Sequence, residues 1–238
     1  MPEIKSIILA SSNQGKAREF AATLKNIEIK TIEHPDFDPE ETADTFLGNA
    51  AIKAIAAAEL TREYCLADDS GLVIDALDGR PGIYSARYLK EEYTKHQAKN
   101  GEEEYKKVIK QNQTDSKWDF CKPGLEKLIQ EVQAQPNKKA RFTCALALAT
   151  PEGEIIWQDE AYWQVHIGTE IRGSNGFGYD PIAVPYSLDP IHNGSTPEEL
   201  EQLTELNTKT AAELEAELKN QLSHRAQAIA KLEAWLKQ

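Results

Sequence analysis

Cysteine is scarce in this chain: Cys65, Cys121 and Cys144 are the only three in 238 residues. Their number and spacing exclude a dense disulfide framework and match no zinc-ligand pattern. Positive charge is also in short supply. Lys and Arg number 27 against 39 Asp and Glu, for a formal charge of -12, which argues against a general grip on a nucleic-acid backbone. No run approaches the roughly 18 apolar residues that span a bilayer. Met1 leads into a charged, strand-like segment without an apolar signal core, so the expected location is the cytoplasm. The Gly-x-x-x-x-Gly-Lys spacing of a P-loop is missing, and no Ser-His-Asp or Cys-His nucleophilic set can be assembled. What remains is 40% apolar and 28% charged. That suits one large domain or two closely fused lobes with a sizeable core.

Strand and helix patterns alternate along the chain. Ile4 to Ala10 reads as a buried strand, followed by the polar loop Ser11-Ser12-Asn13-Gln14-Gly15. From Lys16 the apolar residues Ala17, Phe20, Ala21 and Leu24 recur at helical spacing. Ile27 to Ile32 reads as a second strand, and residues 33–41 as a Pro- and acid-rich loop. A helix over about 43–60 carries Phe46, Ala50, Ala54 and Ala57 on one face, with Asn49 and Lys53 one turn apart. Residues 64–67 read as a strand, and residues 70–88 as a Gly/Pro-punctuated loop of mixed content. Residues 89–138 are rich in Lys, Glu and Gln. Within them Leu125, Leu128, Ile129 and Val132 mark an amphipathic helix, and Trp118 and Phe120 are expected to tack the preceding segment to the body. Arg141 to Thr150 and Glu154 to His166 form a hairpin pattern around Pro151-Glu152-Gly153. A short strand is expected over 182–184. Capping signals mark Thr196-Pro197-Glu198-Glu199, Thr210-Ala211-Ala212-Glu213 and Ser223, the last ahead of a helix facing inward through Ile229, Leu232 and Leu236. The class is α/β with a mixed sheet.

Five stretches carry chemical possibilities. At Asp68-Asp69-Ser70-Gly71 an apolar run ends in two carboxylates. Strand alternation points them to opposite sides, so one can face a cation or water while the other anchors the turn. The same residues also suit a solvated turn. The loop from Ser11 to Lys16 opens a helix, where backbone N–H groups and Lys16 can cradle phosphate or merely cap the helix. Glu40-Glu41 precedes the alanine-rich helix, where glutamate favours the helix dipole; near Asp69, Glu41 would complete a carboxylate pair. Gly176-Phe177-Gly178-Tyr179-Asp180 offers close backbone approach, aromatic stacking and an acceptor, or a tight turn. Ser223-His224-Arg225 reads as a capped helix start or as donors for a purine carbonyl.

Together these blocks resemble the inosine triphosphate pyrophosphatase family. The likeness runs through residues 8–16, Glu41-Thr42, Asn49-Ala50, Lys53-Ala54 and Ala67-Asp68-Asp69-Ser70-Gly71-Leu72. It continues in Gly82-Ile83-Tyr84-Ser85-Ala86-Arg87-Tyr88, Arg141-Phe142 and Gly176-Phe177-Gly178-Tyr179-Asp180-Pro181. Lys209-Thr210-Ala211-Ala212-Glu213-Leu214 and Ser223-His224-Arg225 complete it, in the family's order. The resemblance implies a two-lobed α/β fold around a long twisted mixed sheet with flanking helices, the nucleotide lying in the cleft between the lobes. It implies a single such domain over residues 1–238 and a homodimer that binds neither nucleic acid nor membrane. The implied reaction is magnesium-dependent hydrolysis of non-standard purine nucleoside triphosphates (ITP, dITP, XTP) to monophosphate and pyrophosphate. By the same resemblance Asp69, Asp68 and Lys16 are catalytic, and Glu41 and Asp69 hold Mg2+. Ser11, Asn13, Lys16, Lys53, Ser70 and Gly71 contact phosphates. Phe177, Tyr179, Asp180, Lys209, His224 and Arg225 form the base pocket.

Three departures stand out. Gly48-Asn49-Ala50 replaces the family's usual Glu-Asn-Ala, and glycine in a helix interior costs about 0.5–1 kcal/mol relative to alanine. The chain is longer than usual within residues 89–138 and again within 187–207; the first is expected to be a mostly helical elaboration that supplies no essential catalytic group. Ala226 follows His224-Arg225 where the family has glycine. Gly48 and the added segments motivate a rival reading, a catalytically weakened purine-nucleotide-binding protein.

Overall fold

The computed structural model describes residues 4–11, 14–34, 37–100, 120–185 and 208–238, with the side chains of 14–15 and 97–100 left aside. The expected positions Asn13, Trp118 and Thr196-Pro197, with the extension over 187–207, lie outside the described residues. Within them six strands form one sheet in the order β2-β1-β3-β4-β5-β6. The strands are β1 (Ser6–Leu9), β2 (Glu28–Thr31), β3 (Cys65–Ile74), β4 (Lys139–Ala149), β5 (Ile155–Ile167) and β6 (Ala183–Pro185). β1 is parallel to β2 and β3, whereas β5 and β6 are antiparallel, so the sheet is mixed as expected. The helices are α1 (Gln14–Thr23), α2 (Phe46–Thr61), α3 (Ser85–Asn100), α4 (Lys122–Gln133), α5 (Ala216–Leu222) and α6 (His224–Leu236). None of the described helices is long and apolar enough to cross a membrane.

The chain divides into two compact units. The first comprises Met1–Ser70, Thr143–Tyr162 and Asn220–Gln238. Its core is a continuous apolar cluster of Ile7 and Leu9 from β1, Phe20 and Leu24 from α1, Leu66 from β3, Leu146 and Leu148 from β4, and Ile229 and Leu232 from α6. Each fully buried Leu or Ile contributes roughly 1.5–3 kcal/mol by leaving water. β1 is more one-sided than its sequence suggests, because Ile7 and Leu9 are buried while Ile8 is only half-buried. α2 buries a face of alanines, and the small side chains let its backbone lie close to its neighbours. Thr45 caps its start by accepting the N–H of Gly48 at 3.1 Å. Arg62, in the left-handed conformation at φ 57°, ends it by donating its N–H to Ala58 O. Gly48 therefore sits in the first turn and not in a helix interior, which corrects the expected propensity cost. The β4–β5 turn follows the expected hairpin, with Thr150 N–H bonded to Glu154 O at 2.8 Å.

The second unit comprises Gly71–Phe142 and Trp163–Lys219. α4 buries Leu125, Leu128 and Val132 completely, with Ile129 half-buried at the margin. α3 lies against it so closely that a Cβ on Gly124 would sit 2.8 Å from the Leu89 side chain. The Phe120 ring lies 5.1 Å from that of Tyr93 but is 43% exposed, and the segment it was expected to tack down lies outside the described residues. Two expectations need correction. The strand expected over 64–67 runs on to Ile74, so Asp68 to Gly71 is strand and not turn. The mixed segment over 70–88 resolves into the end of β3, short 3-10 helices at Asp75–Leu77 and Gly82–Tyr84, and the start of α3. The first has a plain cause: Gly71 reads as a breaker, but inside a buried strand it keeps extended backbone.

Candidate active site

β3 sorts its two carboxylates to different partners, as alternation requires. Asp68 is 5% exposed, and both its oxygens lie 2.8 Å from Lys16 Nζ on α1. Arg225, the second residue of α6, donates Nη2 to Asp68 at 3.4 Å and Nη1 to Glu19 at 3.0 Å. Ser70 Oγ adds a bond of 3.4 Å. Burial works against the Asp68 charge, but Lys16 and Arg225 outweigh it and hold its carboxyl well below the usual carboxylate range. Burial likewise opposes the Arg225 charge and is outweighed chiefly by Asp68, so Arg225 stays protonated. This group ties β3, α1 and α6 together through charge.

Asp69 faces a second group. Lys53 Nζ, from α2, bonds Asp69 Oδ1 at 2.9 Å and Glu41 Oε1 at 2.8 Å. Asn49, one turn earlier on α2, donates Nδ2 to Asp69 Oδ2 at 3.4 Å. Here burial outweighs the lysine, and the Asp69 carboxyl is pushed above its ordinary value. For Lys53, burial is outweighed by the Asp69 charge and by its bonds to Glu41 and Asp69, and its pKa is raised. Two hard carboxylates thus share one cation, with Lys53 14% and Asp69 11% exposed at the side chain. Among the described residues no three His, Cys, Asp or Glu side chains converge as a ready metal cage. Cysteine chemistry is disfavoured, since burial pushes the Cys144 thiol up to about 11 and keeps it neutral.

The aromatic loop in the second unit is organised by Asp180. Its buried carboxylate accepts the Phe177 N–H at 2.6 Å and pairs with Lys219 of α5. The Lys219 ammonium lies 5.0 Å from the centre of the Phe177 ring, which is 54% exposed. Gly176 is required at this corner: its φ is +78°, and a Cβ would fall 2.0 Å from an Asp180 oxygen. Tyr179 is buried, and its hydroxyl donates to Ser85 O at 2.6 Å, anchoring the loop.

Of the expected residues, Asp68, Lys16 and Arg225 come together, as do Asp69, Glu41 and Lys53. Ser70 joins the first group, Gly71 continues β3, and Ser11 lies two residues past β1 with its N–H on Leu9 O. His224 is buried at the start of α6, behind the Ser223 cap. Lys209 is exposed. Three participants escaped the sequence reading. Glu19 stands three residues after Lys16 on the same helix face. Lys219 stands one helical turn before Ser223. Asn49 was quoted in the family likeness but given no role at the site.

The Ham1 family model matches residues 7–121 and 106–235. A dITP/XTP pyrophosphatase of Oceanobacillus iheyensis is 38% identical over 240 residues, covering 98% of each chain. Another, of Halalkalibacterium halodurans, is 41% identical over 239 residues, covering 98% of this chain and all of its own. A solved Ham1 protein of Staphylococcus aureus matches the fold with a TM-score of 0.70 at 34% identity, covering 98% of both chains. The chain belongs to the Ham1 family. The likeness to inosine triphosphate pyrophosphatases is thereby borne out. Within this Ham1 chain the departure at Gly48 has a local counterpart: a Cβ there would lie 2.5 Å from the Ala43 Cβ. Ala43 occupies the space that a larger residue would need, and it lies two residues after Glu41.

Proposed function

We propose that this Ham1 chain hydrolyses non-standard purine nucleoside triphosphates, dITP, ITP and XTP, to the monophosphate and pyrophosphate with Mg2+. The observation that carries the reading is the lysine-bridged pair Glu41–Lys53–Asp69, in a chain alike along its whole length to dITP/XTP pyrophosphatases. The donors suit magnesium: two hard oxygens from protein, with water and phosphate oxygens left to complete the shell. Glu41 and Asp69 would hold the ion, which neutralises phosphate charge. Asp69, lifted in pKa by burial, orients or deprotonates the attacking water. Lys16 and Lys53 turn from their carboxylates toward phosphate oxygens. Both lysines are already balanced by Asp68, Asp69 and Glu41, so the protein alone brings little net positive charge to a triphosphate, and a divalent ion must supply it.

For the base, Phe177 offers an exposed ring, and Lys219, Lys209, His224 and Arg225 are candidate donors. Donors aimed at a 6-oxo group would be left unsatisfied by adenine, which presents an amino donor there, and that disfavours ATP. We further propose a single two-lobed domain with its nucleotide cleft, acting as a homodimer. Product analysis with dITP, XTP and ATP, with magnesium or with EDTA, tests the reading. Pyrophosphate from dITP and XTP in magnesium only is expected. Orthophosphate as the sole product would overturn the cleavage position, and tight ITP binding without turnover would favour the weakened binder.

A further inference from the structure

Asn49 is the only polar side chain on the buried face of α2, whose other members are Phe46, Ala50, Ala54, Ala57 and Ala58, and it is 1% exposed. A primary amide so placed is costly unless both its ends are bonded. Both are. Oδ1 accepts the backbone N–H of Ala43 at 3.0 Å, and Nδ2 donates to Asp69 Oδ2 at 3.4 Å. The orientation of the amide follows from its partners, because a backbone N–H can only donate and a carboxylate accepts. Ala43 lies two residues beyond Glu41, so this one side chain touches both the segment that carries Glu41 and the strand that carries Asp69. The Gly48 backbone beside it leaves room for Ala43 to approach.

We propose that Asn49 is a positioning residue, whose amide holds Asp69 and the Glu41 segment in register so that the two carboxylates can share a divalent cation. The proposal rests on the roles given above to Glu41 and Asp69. Lys53 also links the two carboxylates, but a cation entering between them takes its place. The links through Asn49 use Asp69 Oδ2 and the Ala43 N–H, not the Glu41 Oε1 and Asp69 Oδ1 that Lys53 holds, and survive that exchange. A short amide fixed at both ends also orients its partners more narrowly than a long, flexible lysine stem.

Asn49→Ala and the isosteric Asn49→Asp test it in the full-length protein. Asp at this position, when ionised, keeps an acceptor for Ala43 but has no donor for Asp69 and sets a like charge beside it. Mn2+ is titrated without nucleotide, by electron paramagnetic resonance of the unbound ion, alongside kcat and KM for dITP. Asn49→Ala should bind Mn2+ at least fivefold more weakly and lose at least tenfold in kcat, with KM changed less than threefold. Asn49→Asp should lose kcat by a similar factor. A merely structural role would lower the melting temperature and leave metal affinity and kcat of the folded protein intact; that result, or full kcat in Asn49→Asp, overturns the proposal. If Asn49→Ala does not fold, the kcat of Asn49→Asp decides. If the wild type turns over no purine nucleoside triphosphate, the functional reading fails, and the Mn2+ titration still decides the role of Asn49.

Discussion

Two adjacent aspartates on one strand have opposite electrostatic fates, and their chemistry should differ accordingly. Asp68 is held ionised by two cations; Asp69 is buried against a single lysine. Asp69→Asn leaves the aromatic loop untouched but removes the group given to the metal and the attacking water, so kcat for dITP should fall by about 10²-fold or more. Steady-state kinetics showing near-wild-type turnover would refute the assignment. Arg225→Met leaves Asp68 buried with Lys16 alone, a loss of about 3 kcal/mol in urea unfolding, at the lower end for a broken buried pair. The sign of the pH dependence follows. The folded Asp68 pKa lies below its unfolded value of about 3.9, so its contribution is whole above that pH and fades as the pH falls toward the folded value. Arg225→Met raises the folded value, and the residual contribution should vanish at a higher pH than in the wild type. Unfolding free energies measured from pH 5 downward check this.

The start of α2 brings cap, glycine and amide together within five residues. Thr45→Ala removes the acceptor for Gly48 N–H and should cost about 1 kcal/mol. Gly48→Ala improves helix propensity yet drives a methyl group to 2.5 Å from Ala43, so a net loss of about 1–2 kcal/mol is expected, as for other overpacked sites. Ala43→Gly in the same chain should recover part of it. Thermal unfolding of the three variants separates packing from propensity, because a stabilised Gly48→Ala would mean that the Ala43 segment moves aside freely. Elements with strong local signals were legible in the residues: α1, the α2 alanine face, the β4–β5 hairpin, the helix through Leu125, Leu128 and Val132, and the Ser223 cap. β3 was cut short because Asp, Ser and Gly carry turn propensity, while the burial and charge pairing that keep them in a strand come from α1, α2 and α6. The same limit applied at the site. Asp69 and Lys53 could be named from their motifs, but the link through Lys53 to Glu41 is tertiary. Lys219 sat one turn before a recognised motif with nothing local to mark it.

At the scale of the whole molecule, a chain of charge -12 repels a highly charged anion at long range, and its two site lysines are already neutralised. Chelation should therefore weaken binding of a triphosphate far more than that of its monophosphate. Calorimetry of IMP and of an ITP analogue with a non-cleavable α,β-methylene bridge, in magnesium and in EDTA, checks this; equal losses for both would place the ion's role at the base end. β3 holds a wider consequence. Its residues to Ser70 belong to one unit and those from Gly71 to the other, and its side chains alternate in facing. Losing or gaining one residue just ahead of Asp68 would turn each carboxylate to the opposite face, away from its own partners, and would shift every later residue of the strand to the wrong face. Point substitutions along β3 cost individual contacts. A single-codon insertion or deletion would break both sets of contacts at once, so in length, though not in composition, this strand has a reading frame.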